Sequence, residues 1–361
     1  MTARSGARVT VDVQRLEAFT REAFRVAGLD DDAAAAGASV LVRTTMRGVE
    51  SHGVWFLNRY IRQLEAGGAS RRPQIRHVVD HGGLLVVDGD AGLGPPLATH
   101  VTREAIDRAG AHGFSIVTVS NGNHFGAAGH YALMCAEAGR IGLILSNTAP
   151  IMAVTGSRGR VIGNSPLAFG APRAQAPPFV LDIAMSRVAG GKVRMALEQG
   201  EQVPPGWIVD ADGRPTTAPE DFLVGRGALL PMEDHKGYGL ALMVDALAGA
   251  LSGAAMAGQV GNWLYTPEAP TNTGFFLLTI DVRANGAFEG FQDRLRDLCD
   301  EVVSAPRAPS VERIYVPGEL EHEREVAARA HGLHLRAEVW SALEEVAKRL
   351  GLTDELHAAE R

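Results

Sequence analysis

The hydrophobic period changes twice along this chain, and those two changes restrict the fold more than any other feature. Leu16, Phe19, Ala23, Phe24 and Ala27 recur at helical spacing over residues 11–28, and Gly28 ends the pattern. Asp30-Asp31-Asp32 opens a second helix running through 33–46, where acidic side chains suit the positive end of the helix dipole. A third over 54–66 has Phe56, Tyr60 and Leu64 on one face and stops at Gly67-Gly68. From His77 the period becomes that of strands, predicted at 83–88, 114–119, 141–146, 179–183 and 275–282. Helices at 98–111, 127–139, 187–199 and about 238–251 lie between them, and residues 200–234 read as loop. Helical pattern returns at 288–304, 320–331 and 336–349. Helical ends around a mixed α/β middle predict a chain whose termini pack together.

Composition removes several classes of function. The 361 residues are 46% hydrophobic, enough for two or three domains' worth of core. No apolar run reaches the roughly 18 residues of a membrane span, and no signal peptide is evident, so a cytoplasmic protein is expected. The net charge of -7 with no basic block argues against nucleic acid and against an anionic membrane as partners. Cys135 and Cys299 sit in helix-like stretches as small reduced hydrophobes. No Cys/His spacing suits zinc, so no metal site is predicted.

Chemistry concentrates at strand ends. The apolar run 114–119 leads into Asn121-Gly122-Asn123-His124-Phe125-Gly126. A histidine between glycines at the C-terminal end of a buried strand is costly to build and makes sense if it handles a proton. His52, in Ser51-His52-Gly53, has a similar small-polar setting. The glycine fingerprint of dinucleotide folds is missing. Its nearest match, Gly92-Leu93-Gly94-Pro95-Pro96-Leu97, lacks the third glycine, and its prolines have no amide to give a pyrophosphate. Other segments suit phosphate and ribose. Gly163-Asn164-Ser165-Pro166 is a small-residue loop, and Asp182-Ile183-Ala184-Met185-Ser186 ends a strand where a helix begins. His235-Lys236-Gly237 sets a lysine at a helix N-terminus, where the dipole disfavours a cation and an anion contact would justify one.

In this order and spacing, these segments, together with Arg47-Gly48 and Pro317-Gly318-Glu319, resemble the malate/L-lactate dehydrogenase type-2 family. That family includes ureidoglycolate, sulfolactate, diketogulonate and piperideine-carboxylate enzymes. The resemblance spans about Arg47 to Glu319. It implies an oxidoreductase using NAD or NADP, with a cofactor domain that is not a Rossmann fold but is built on a predominantly antiparallel sheet. It also implies a homodimer. The expected division is residues 1–75 packing with 320–361, a central α/β region of 76–125 with 255–319, and a cofactor-binding region of 126–254. His52 and His124 are the implied acid/base candidates, with Ser51 beside them. Asn164, Ser165, Asp182, Ile183, Ala184, Ser186, His235, Lys236, Gly318 and Glu319 are the implied cofactor contacts.

The expected reaction is reversible reduction of a 2-oxo acid or related ketone; reduction of a cyclic imine 2-carboxylate is the alternative, since both need a hydride and a proton. Arg47, Phe56, Arg59 and Asn121 are the candidate substrate contacts. Three departures from the family pattern stand out. Phe56 occupies the place of an arginine suited to the substrate carboxylate, Thr44-Thr45 replaces Ala-Asp, and Glu233-Asp234 replaces Gly-Gly. Without that arginine, either Arg47 or Arg59 takes the carboxylate, or the substrate is more apolar on that side. Phe56 also shares a face with Tyr60 and Leu64, which suits a core position equally well.

Overall fold

A computed structural model describes residues 8–284, 286 and 288–360. In chain order, β1 (Arg8–Val11) precedes helices α1 (Val13–Val26) and α2 (Asp31–Met46). Asp12 and Asp30 cap these helices by accepting bonds from amides of their first turns. Two short 3-10 turns, Glu50–His52 and Val54–Phe56, lead into α3 (Leu57–Ala66), which ends at Gly67 with φ 90°. Then follow β2 (Arg76–His81), β3 (Leu84–Asp88), α4 (Gly94–His112), β4 (Phe114–Gly122), α5 (Ala128–Glu137) and β5 (Arg140–Ser146). Strands β6 (Leu167–Ala171) and β7 (Phe179–Ile183) come next, and a smaller lobe contributes α6 (Gly190–Gln199), β8 (Ile208–Val209), β9 (Pro215–Thr216), α7 (Pro219–Leu223) and β10 (Ala228–Leu229). Helix α8 (His235–Val244) continues as a π-helical turn over Asp245–Ala250. The chain closes with β11 (Thr273–Asp281), α9 (Phe288–Val303), α10 (Glu319–His331), β12 (Leu333–Arg336), α11 (Ala337–Leu350) and α12 (Thr353–His357).

Seven strands form one sheet in the order β2-β3-β4-β11-β5-β6-β7. Only β3 and β4 run parallel within it; the remaining neighbours are antiparallel. The expected mixed, mainly antiparallel architecture is what the chain forms. Late in sequence, β11 inserts between β4 and β5, and Phe275 and Leu277 join Val117, Val119 and Ile144 in the core under α4 and α5. The two ends of the chain do pack together: α1, α2 and α3 share one core with α11 and α12, and β1 pairs with β12.

Local differences from the sequence reading have physical reasons. Residues 8–11, of which only Val11 fell within the expected helix, form a strand because β12, more than 300 residues away in sequence, supplies its partner. Leu167–Ala171, outside the strands expected from the sequence, is a strand lying between β5 and β7. Helix α4 begins four residues early because Pro95 and Pro96 occupy its first turn, where their missing amides cost nothing.

Candidate active site

The two histidines converge, with ring centroids 5.7 Å apart in a stacked arrangement. Their convergence depends on close backbone contacts. A Cβ on Gly94 would stand 2.0 Å from the carbonyl oxygen of His124, so only glycine lets the start of α4 press against the segment carrying that histidine. Asn123, wholly buried, clamps the same segment. Its amide donates to the carbonyls of Ala91 (2.8 Å) and Gly92 (3.1 Å), while its oxygen accepts from Gln63 Nε2 (2.9 Å) and Thr271 Oγ1 (3.0 Å). On the other side, Thr45 Oγ1 accepts from the Val54 amide at 2.9 Å and holds the turn that carries Ser51 and His52. Thus one of the two threonines replacing the family's Ala-Asp supports the His52 turn.

Each imidazole has a hydroxyl on Nδ1. Tyr60 Oη lies 2.7 Å from His124 Nδ1, and Ser51 Oγ lies 3.0 Å from His52 Nδ1. A hydroxyl both donates and accepts, so it satisfies Nδ1 in either tautomer while the proton on Nε2 comes and goes. Among the described residues, neither Nε2 has a hydrogen-bond partner. Trp263 stacks on His124 at 4.8 Å and on Tyr60 at 5.0 Å, and Phe56 meets His52 and His124 edge-on at 5.6 and 5.5 Å. Enclosure in this aromatic cluster disfavours the charged imidazole. It lowers His52 to about 4, and it lowers His124 well below the usual histidine range, with His52 and Arg59 adding like charge. The Tyr60 phenol is pushed up by burial and stays protonated.

These groups line one cavity of about 490 Å³. At another part of its wall stands Asp182, at the end of β7. Enclosure by protein raises its carboxyl to about 6; Glu321 adds to the rise and the Gly129 amide, donating at 2.8 Å, opposes it. The wall also includes Ala127, Ala128 and Gly129 at the start of α5, the last against Asp182, and Gly190 and Gly191 at the start of α6, the last against Ser51. His130 Nδ1 is buried there without a partner. A wall of small residues that lets a ligand approach the backbone, a carboxylate for a ribose diol and an orphaned imidazole nitrogen fit a nicotinamide dinucleotide.

Of the residues singled out in the sequence, the cavity brings together Ser51, His52, His124, Arg47, Phe56, Arg59, Asn164, Asp182, Ala184 and Gly318. Arg47 is committed elsewhere, donating to Glu325 Oε2 at 2.9 Å. Asn121 is not brought to the cavity; its side chain donates to Asp88 Oδ1 at 3.2 Å, and its backbone has φ 54°. Ser186 Oγ donates to the Val188 carbonyl, and Ser165 is buried with its hydroxyl unpartnered. Ile183 pairs with Leu167 in the sheet and packs on the small lobe's core. Glu319 holds Arg173 at 3.0 Å, and the neighbouring acid Glu321 lines the cavity instead. His235 and Lys236 are exposed in the first turn of α8, outside the cavity wall. Gly237 ties that turn to the Asp182–Ser186 segment, since a Cβ there would fall 2.5 Å from the Met185 carbonyl. The sequence reading missed Trp263, Asn123 and His130 as site residues. Trp263 lies in an irregular loop with no periodic signal. Asn123 stood in view, but its partners come from segments up to 148 residues away.

A mainly antiparallel sheet without a glycine fingerprint, carrying one cavity with paired imidazoles, defines an oxidoreductase-type site outside the Rossmann class. The chain belongs to the malate/L-lactate dehydrogenase family, whose model matches residues 11–344. It is 36% identical over 351 residues to malate dehydrogenase of Pyrococcus horikoshii, covering 95% of this chain and 96% of that protein. It is 33% identical over 328 residues to L-sulfolactate dehydrogenase of Methanocaldococcus jannaschii, covering 91% and 93%. The solved Δ1-piperideine-2-carboxylate reductase of Pseudomonas syringae pvar. tomato superposes with a TM-score of 0.84 at 29% identity, covering 94% of this chain and 99% of that one. Among the described residues, no helix is long and apolar enough to cross a membrane.

Proposed function

We propose that this enzyme reversibly reduces a 2-oxo acid to the 2-hydroxy acid, with His124 as the proton donor and acceptor. The observation that carries the reading is the imidazole pair, each ring pinned at Nδ1 by a hydroxyl and open at Nε2, in one cavity with a dinucleotide-compatible wall. His124 takes the proton because its ring is clamped by Trp263 and its hydroxyl partner is fixed on α3, so Nε2 has one position. His52, oriented by its neighbour Ser51, hydrogen-bonds the reacting oxygen. A bound nicotinamide supplies or accepts the hydride. The protein's part is to place the carbonyl carbon, exclude water with the aromatic cluster, and meet charge developing on oxygen with a proton, typically worth about 10²–10⁴ in rate. Both histidines are neutral at pH 7, which readies them as bases for oxidation of the alcohol. Asp182, Ala184 and the small residues at the start of α5 hold the cofactor, with Asn164 and Gly318 also on the cavity wall.

The imine 2-carboxylate remains a second reading, favoured by the structural likeness to the piperideine-carboxylate enzyme and by the apolar ring of Phe56 beside both histidines, which suits an apolar cyclic substrate. We assign the enzyme to the cytoplasm as a homodimer. Leu242 and Met243 on α8 and Leu251 just beyond it are exposed, and a second subunit would cover them. The test is a fluorescence titration with NADH and NADPH, followed by turnover on a panel of keto acids and cyclic imines by His52→Ala and His124→Ala. His124→Ala is expected to lose about 10²-fold or more in rate with cofactor affinity little changed. No binding of either cofactor at millimolar levels, or near-normal turnover in both variants, contradicts the proposal.

A further inference from the structure

The aromatic side of the cavity contains a cation with no anion to meet it. Arg59 sits one turn beyond Phe56 on the same face, and its guanidinium lies over two rings, 4.7 Å from the centroid of Trp55 and 4.8 Å from that of Phe56. Among the described residues no carboxylate is within ion-pair distance of it, although Glu198 acts on it from further away. Arg194, also on the cavity wall, faces the same space, likewise without a carboxylate partner. Burial, then repulsion from Arg194, pulls Arg59 down to about 10. The other arginines on this wall are occupied: Arg47 by Glu325, and Arg160 by the carbonyls of Gly227 and Phe222. The two rings hold the guanidinium in place, and among the described residues its N–H groups make no hydrogen bond, leaving them to bind a carboxylate through two parallel hydrogen bonds.

We propose that Arg59 binds the substrate's carboxylate, and that the Trp55–Phe56–Trp263 surface beside it selects a 2-oxo acid with a flat or bulky apolar side chain. This inference rests on the reading of the cavity as the site of keto-acid reduction. Phe56 touches both His52 and His124, so a substrate whose reacting oxygen meets the histidines has its side chain against Phe56 and Trp263. A small substrate would leave that aromatic wall without contacts, and a second carboxylate on the side chain would meet ring faces, which repel anions. The site therefore disfavours the short diacid and favours an aryl or branched acid.

The anion that Arg59 awaits has two sources, the substrate carboxylate and a cofactor phosphate, and the test separates them. Binding is measured by calorimetry on the complex with saturating reduced cofactor, using unreactive N-phenyloxamate, its methyl ester and plain oxamate as probes. Wild type, Arg59→Lys and Arg59→Gln are compared, and the cofactor Kd of each is measured separately by nicotinamide fluorescence. The expected result is that Arg59→Gln weakens N-phenyloxamate about 10- to 100-fold, the range for a hydrogen-bonded charge. Its effect on the methyl ester and on cofactor Kd stays within about twofold, and Arg59→Lys recovers part of the loss. Wild type is expected to bind N-phenyloxamate more tightly than oxamate. Equal weakening of acid and ester would show that Arg59 only supports the wall. A loss confined to cofactor Kd would assign it to a phosphate, and a preference for oxamate would overturn the side-chain selection. Since binding needs no turnover, these outcomes are separate from failure of the proposed reaction, which would appear as absence of cofactor binding.

Discussion

Tyr60→Phe removes one oxygen atom from the site and tests the role of the hydroxyl on His124. In the native chain that oxygen lies 2.7 Å from Nδ1, on a wholly buried tyrosine whose ring stacks on Trp263. Phenylalanine keeps the ring and its packing, so the change isolates the hydrogen bond. A buried polar atom left without a partner costs about 1–3 kcal/mol. Part of that cost falls on the imidazolium formed during turnover, which then has no acceptor for Nδ1–H. The expected fall in kcat/KM is roughly 5- to 150-fold, from about 1.4 kcal/mol per factor of ten. The sign of the accompanying pH effect follows from the same loss. The charged ring is destabilised more than the neutral one, so the His124 pKa, already lowered by burial, falls further. The assay is steady-state oxidation of the hydroxy acid across pH, with thermal unfolding measured alongside. An acid limb displaced to lower pH, a reduced plateau and a melting temperature a few degrees lower support the account. An unchanged plateau and unchanged acid limb would refute the claim that Tyr60 acts through His124 in proton transfer.

Three further outcomes are expected. Because both histidines are depressed, kcat/KM for oxidation in the wild type should hold its plateau down to about pH 5.5, where a histidine at the ordinary 6.5 would be only roughly a tenth neutral; loss of activity centred near 6.5 would contradict the burial argument. Asn123→Ala should lower stability by about 2–4 kcal/mol in denaturant unfolding, since Gln63 and Thr271 lose their acceptor together; a change under about 0.5 kcal/mol would show the cluster re-pairs. Asp234→Gly should stabilise the chain by about 1 kcal/mol, because Asp234 has φ 54° and ψ -112°, a conformation open to glycine and strained for aspartate; an unchanged melting temperature would mean its partner Arg187 compensates.

The parts legible in the sequence were those carried by short-range pattern. Helical ends, the buried strand before His124 and the small-residue segments all have local signals. The missing glycine fingerprint, with prolines in its place, correctly excluded a Rossmann reading. What was not legible depended on partners far along the chain. Strand β1 exists because β12 pairs with it, and β6 because β5 and β7 flank it. Asn121 and Asn123 differ by two positions in a strand-end segment, and only the approach of Gln63, Ala91 and Thr271 determines which one clamps the site. Phe56 suited a core position and a substrate position equally well, and it occupies both: it is buried, yet it forms the cavity wall against both histidines. Arg47 and Arg59 were indistinguishable until Glu325, almost 280 positions beyond Arg47, was found to hold one and not the other.

The central claim is that this cavity passes a hydride between a nicotinamide and the carbon of a 2-oxo acid while His124 handles the proton. Transfer of label tests it most directly. The enzyme is given a 2-oxo acid with cofactor deuterated on either face of C4, and the product is read by NMR. The account predicts deuterium at C2 of the hydroxy acid from one face only, in one configuration, with the same labelling but a much lower rate in His124→Ala. Product whose C2 hydrogen comes from solvent, or no product from either labelled cofactor across the keto-acid and imine panel, would contradict it.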